Sequence, residues 1–235
     1  MHEMKYCSQH GEDGIIDYIF SKIGVTNQYF VEFGAETGLE NNTAHLASHK
    51  HWGGLLIEGD INKYKQLITV TEILSRINNS RNITTQYSFV TAENINNIFS
   101  ENNVPNKFDF LSIDIDGNDY YIWKALRNYR PRLVVIEYNA TFAPPLEWVQ
   151  KYDSNYTWDG SFLFGASLKS LEILGKELGY SLIGTESFGV NAFFLQTEIC
   201  NEFGFNRMNA EDAYSPPSIY FRFLLFSHSF AVFCI

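Results

Sequence analysis

Two rhythms of apolar residues alternate along the chain: short continuous runs, and longer stretches in which apolar positions recur every three or four residues. The second rhythm predicts helices over Asp13–Ile23, Thr43–His51, Asn62–Ile77, Ala92–Asn103 and Tyr120–Asn128. Between them, the runs predict strands over Tyr29–Gly34, Gly54–Asp60, Ile83–Val90, Phe108–Asp116 and Leu133–Tyr138. Runs that are apolar throughout, rather than at every second position, belong to strands covered on both faces, and so to a mainly parallel sheet.

After Tyr138 the order changes. An irregular, aromatic-rich stretch over 140–165 precedes a helix, SLKSLEILGKELG, and two further strands, YSLIGTES and NAFFLQTEI. The link between these strands, Phe188–Val190, is far shorter than the dozen residues a parallel crossover needs, so the last strand must run backwards. The expected fold is α/β: seven strands, mainly parallel with an antiparallel last strand, and helices on both faces.

At 235 residues, 45% of them hydrophobic, the chain can bury one substantial core. A domain over 1–199 and a tail over 200–235 are expected. With 17 Lys+Arg against 27 Asp+Glu, the net charge of -10 disfavours nucleic acid and anionic lipid as partners. MHEMKYCSQHGEDG has neither the basic start nor the apolar core of a secretory signal, which suggests a cytoplasmic protein. Cys7, Cys200 and Cys234 form no CxxC pair and are assigned no chemistry. The apolar end from Ser218 to Ile235 is interrupted by Arg222 and His228. A buried or interface-forming tail, which would suit a homo-oligomer, is favoured there over a membrane anchor or an out-of-register end, and no membrane span is expected.

In open parallel sheets ligands bind beyond the carboxyl ends of the strands. The first strand ends in EFGAETG, placing Glu32, Gly34, Glu36 and Thr37 in a tight turn, and the second ends at Glu58, Gly59 and Asp60. An acid at the second position can accept both ribose hydroxyls, which favours an adenosine-type ligand. The loop lacks G-x-G-x-x-G, and its two carboxylates would repel a pyrophosphate. They suit a cofactor bearing an amino group and a sulfonium, namely S-adenosylmethionine.

Five segments in order, SQHGEDGII (Ser8–Ile16), FVEFGAETGLENNTAHL (Phe30–Leu46), GLLIEGD, DFLSIDIDGNDYYIW (Asp109–Trp123) and RLVVIEYN (Arg132–Asn139), resemble the FkbM-like class I methyltransferases. The resemblance covers about residues 7–197. It implies a Rossmann-like methyltransferase fold and cofactor contacts from Gln9, Glu32, Gly34, Glu36, Asn41, Glu58 and Asp114. Gln9 and Asn41 enter only through it. Many members methylate sugars in polysaccharide or natural-product assembly, so a sugar hydroxyl is the implied acceptor, such as a nucleotide-linked heptose or another capsule precursor. A small phenol, amine or lipid-linked acceptor is a second reading. A non-catalytic adenosine-binding partner protein is a third.

Asp114, Asp116 and Asp119 follow the fourth strand, and Glu137 and Asn139 end the fifth, its expected neighbour. Asp114, Asp116, Glu137 and Asn139 therefore offer an oxygen-only ligand set for Mg²⁺, with Mn²⁺ or Fe²⁺ as alternatives. On the other reading, Asp114 touches the cofactor and Asp116 caps a helix. A sugar hydroxyl needs a metal or a base to raise its reactivity. Asp119 is the candidate base, with His45 and His10 as alternatives, although a histidine on a helix is commonly a packing or surface residue. The 140–165 insertion, with Phe142, Trp148, Tyr152, Tyr156, Trp158 and Phe162, reads as a substrate lid or as loop packing or a dimer interface. Lys151 or Arg130 would face the phosphates of a nucleotide sugar.

Overall fold

A computed structural model describes residues 2–78 and 82–218. The apolar runs become β1 (Tyr29–Phe33), β2 (Gly53–Glu58), β3 (Ile83–Tyr87), β4 (Lys107–Ile113), β5 (Arg130–Glu137), β6 (Tyr180–Thr185) and β7 (Asn191–Gln196). They form one sheet in the order β3-β2-β1-β4-β5-β7-β6. The first five strands are parallel, and β7 runs antiparallel to both β5 and β6.

Side-chain alternation divides each strand between two cores. Phe30, Phe110, Leu133 and Val135 face one side, where they pack with Ile15, Ile16 and Ile19 of α1 (Glu12–Ile23), Leu46 of α2 (Ala44–Ser48), Leu67 of α3 (Ile61–Asn78) and Ile199 of α7 (Thr197–Phe203). Val31, Phe33, Leu111, Ile113, Val134 and Ile136 face the other. There they meet α4 (Ile95–Glu101), α5 (Asp119–Ala125), α6 (Leu168–Glu177) and the short α8 (Ala210–Ala213). Both faces are covered, which is why the strands are apolar throughout.

One charge anchors the amino-terminal end of the sheet. The fully buried Asp109 of β4 accepts hydrogen bonds from the amides of Thr26, Asn27 and Gln28 and from the Thr26 hydroxyl, and pairs with Arg132 of β5 at 3.0 Å. Burial opposes its ionisation, but Arg132 and these donors prevail and hold its carboxyl below the usual carboxylate value. Arg132 also donates to the carbonyls of Ile23 and Gly24, tying the end of α1 to the same point.

Two expectations change. The strands stop before their apolar runs do: β2 ends at Glu58, β3 at Tyr87 and β4 at Ile113, because the following Gly59, Phe89, Val90 and Ile115 leave the ladder to line a cavity. In NAFFLQTEI the strand ends at Gln196, and Ile199 and Cys200 are buried as one face of α7. Residues 200–218, the first part of the expected tail, pack back on the sheet. Ala210 and Ala213 join the core, the Met208 amide donates to Leu182, and the Tyr138 hydroxyl donates to the Ser215 carbonyl. The rest of the expected tail, 219–235, lies outside the described residues.

Candidate active site

The pairings Phe33↔Ile113, Ile113↔Ile136 and Glu137↔Asn191 bring the exits of β1, β4 and β5 and the start of β7 to one level. A cavity of about 450 Å³ opens there. Gly34, in the left-handed region at φ 66°, makes the first turn possible: a Cβ would lie 1.7 Å from the Asp114 carbonyl oxygen. The cofactor-type loop and the acid-bearing loop are therefore in direct contact.

The buried Glu32 accepts from the amides of Asn42 and Thr43 at 3.0 and 3.1 Å and from the Thr43 hydroxyl, shaping the turn that starts α2. Burial pushes its carboxyl up to about 7. Glu58 accepts from the Glu36 and Asp60 amides, each at 2.7 Å, and Glu36 pairs with Lys63 at 2.7 Å. Gln9, Glu32, Gly34, Glu36, Asn41, Glu58, Gly59 and Asp114 all line the cavity. Thr37 does not.

Farther along, carboxylate oxygens of Asp114, Asp116 and Glu137 lie within 4.8 Å of one another. Burial raises both Asp114 and Glu137 well above the usual carboxylate value, and mutual repulsion adds to it. Asp116 takes a left-handed backbone, φ 54°, which turns the chain toward the cavity.

Four expected residues have other work. Asp119, the candidate base, is buried and accepts from the Ile115 and Gly117 amides at 2.9 and 2.8 Å, so it fixes the turn carrying Asp116. Asn139, a candidate ligand, donates to the Phe162 and Phe164 carbonyls and accepts from the Thr141 amide, so it pins the insertion. His45 is buried against Asp17 outside the cavity. Arg130 opens β5 at the opposite end of the strand from Glu137, where it donates to the Leu178 carbonyl, and cannot meet a ligand in the cavity.

The sequence reading overlooks Glu12 and Asn191. Glu12 is buried, accepts from Asn191 Nδ2 at 2.9 Å and from the His10 amide at 2.8 Å, and both line the cavity beside Glu137. Glu12 stands inside SQHGEDGII and was legible there; Asn191 has no local signal. His10 stacks on Phe188, and burial holds its imidazole below the usual value. Of the aromatics in the 140–165 insertion, Tyr156 lines the cavity, its ring lying where a Cβ at Gly117 would meet it at 2.6 Å. Three buried polar atoms of the lining lack partners: Asn41 Oδ1, Asn191 Oδ1 and the Tyr156 hydroxyl.

Residues 62–182, just over half of the chain, match the model of the methyltransferase FkbM domain. The chain belongs to the FkbM methyltransferase family. This FkbM methyltransferase is similar in fold to the N-terminal domain of EvdMO1, crystallised with SAH bound, at TM-score 0.50 and 13% identity, over 80% of each chain. It is also similar to a Klebsiella pneumoniae protein described as a candidate O-methyltransferase, at TM-score 0.51 and 13% identity, over 82% of each chain. No curated protein matches it. Among the described residues of the methyltransferase, no helix is long and apolar enough to cross a membrane.

Proposed function

We propose that this methyltransferase uses S-adenosylmethionine to methylate a sugar hydroxyl, assisted by a divalent cation held by Asp114, Asp116 and Glu137. The observation that carries the reading is the continuity of one cavity from Glu58 and Gly59 to that acid triad.

The lining fits the cofactor. Acidic side chains dominate it, and the orphaned acceptor Asn41 Oδ1 suits an ammonium group, whereas a polyphosphate would face Glu32, Glu36 and Glu58. Glu58 would take the ribose, and Glu32, Glu36 and Asn41 the amino-acid portion. When bound, the cofactor supplies an electrophilic methyl group on its sulfonium. The triad fits a hard cation because its carboxylates converge with mutual repulsion that such a charge relieves. A cation there supplies Lewis acidity that lowers the pKa of a ligated hydroxyl.

The acceptor end carries Asn191, Thr157 and the unpartnered Tyr156 hydroxyl, neutral groups matched to a polyhydroxylated ligand. Tyr156 offers an aromatic face, and His10, its imidazole held below the usual value by burial, stands ready to take the hydroxyl proton. A sugar hydroxyl is the acceptor class this reading favours, a nucleotide-linked sugar being one form to test.

Labelled S-adenosylmethionine should transfer its methyl to a member of a nucleotide-sugar panel, and EDTA should stop the transfer until Mg²⁺ or Mn²⁺ is restored. Transfer unaffected by EDTA removes the cation; transfer only to a catechol in the same panel replaces the sugar. Asp116→Asn, which tolerates the left-handed backbone, should lower kcat at least about 10³-fold, equivalent to about 4 kcal/mol, with SAH binding kept.

A further inference from the structure

We infer that Cys7, His45 and His49 form a second metal site, outside the cavity, that takes a zinc-class ion. Their ligand atoms lie within 4.8 Å of one another. His45 and His49 stand one helical turn apart at the end of α2, with ring centroids 5.0 Å apart. Cys7 reaches them from the N-terminal segment ahead of α1, on a backbone held in place by Asp13 Oδ2, which accepts from the amides of Tyr6, Cys7 and Ser8.

The second observation is the state of His45. It is 6% exposed, Asp17 holds its Nε2 at 3.1 Å, and its Nδ1 is buried with no partner. A carboxylate on one imidazole nitrogen with the other left open is the arrangement that orients a metal-ligating histidine. His49 is similarly set: its Nδ1 meets the Ser48 hydroxyl at 2.7 Å, which leaves Nε2. Cys7 Sγ lies 4.0 Å from the same hydroxyl.

One thiolate and two imidazoles are borderline-soft donors suited to Zn²⁺, whereas the all-oxygen triad of the cavity suits Mg²⁺. On ligation the Cys7 S–H proton passes to solvent as the S–Zn bond forms, and both imidazoles bind neutral. His49 is exposed, so a water can complete a tetrahedron. The ion would clamp the segment carrying Gln9 and His10 to α2, which begins at the turn shaped by Glu32.

Co²⁺ titrated into the metal-free full chain should give a near-ultraviolet thiolate-to-cobalt absorption that saturates at one equivalent and is displaced by Zn²⁺. Cys7→Ser should abolish the band. His49→Gln, at an exposed position that leaves folding intact, should weaken Co²⁺ binding tenfold or more. Asp116→Asn should leave the band unchanged, which separates this site from the catalytic reading. No sulfur band, a band that survives Cys7→Ser, one lost in Asp116→Asn, or binding within twofold in His49→Gln overturns the site. Zn²⁺ at a hundredfold excess over Kd should raise Tm by about 5–10 °C in the parent chain and not in Cys7→Ser.

Discussion

Asp109 and Asp114 belong to one strand and its exit, yet their surroundings are opposite. Asp109 is enclosed by three amides, a hydroxyl and Arg132, and its carboxyl is held below the usual value. Asp114 is met by Asp116, Glu137 and Glu32, and its carboxyl is raised well above it. The first arrangement stabilises the fold, and the second is tolerable only where an added ligand supplies positive charge. The same side chain thus marks an anchor at one end of the sheet and a site at the other.

The largest effect expected is at the anchor. Asp109→Ala, which strands Arg132 and three amide donors, should lower the unfolding free energy by about 3–5 kcal/mol in urea titrations. A loss under about 1 kcal/mol would show that the charge is not what joins β1, β4 and β5. Next comes pH. Glu32 moves from 4.5 to about 7 on folding, so between those values the folded chain binds more protons than the unfolded, and stability falls as pH rises. Asp109 acts in the other sense: its contribution is complete above 3.8 and is lost as pH falls through its lowered folded value. Metal-free protein should therefore lose unfolding free energy from pH 4.5 to 7, with up to about 3 kcal/mol of the loss from Glu32 beside that of the raised Asp114 and Glu137, and Glu32→Gln should make the slope shallower. An unchanged slope in the variant would assign the decline elsewhere.

A smaller effect of opposite sign sharpens the contrast further. In EDTA, Glu137→Gln should raise stability by about 1 kcal/mol, since it removes a carboxylate from the repelling triad; destabilisation would mean that the repulsion is already compensated. Smallest of all, Tyr156→Phe should raise the acceptor KM by roughly three- to tenfold with little change in kcat, corresponding to about 1 kcal/mol for one hydrogen bond.

How much of this was legible follows from how local each signal is. Two-sided burial makes the strands continuous apolar runs, and a short link forces β7 to reverse, so the sheet could be read directly. Strand exits could be read too, because parallel strands place their carboxyl ends together, and the triad residues stand at such exits. Side-chain aim could not. Asp119 and Asn139 have the right chemistry at the right exits, but the left-handed turn at Asp116 and the path of the insertion present them with backbone partners instead of the cavity. Arg130 was a legible error, since a residue that opens a parallel strand lies far from the residues that close it. Glu12 stands in a legible segment, but its pairing with Asn191, 179 residues away, has no local trace.

The reversed β7 has a consequence for how such a sheet gains new chemistry. Every other contributing strand meets the cavity at its carboxyl end or in the loop that follows, whereas β7 meets it with its first residue, Asn191, locked opposite Glu137 by the ladder itself. An amide set by strand pairing does not drift when loops lengthen or shorten, so it gives a fixed reference point against which variable loops can be reshaped for different acceptors.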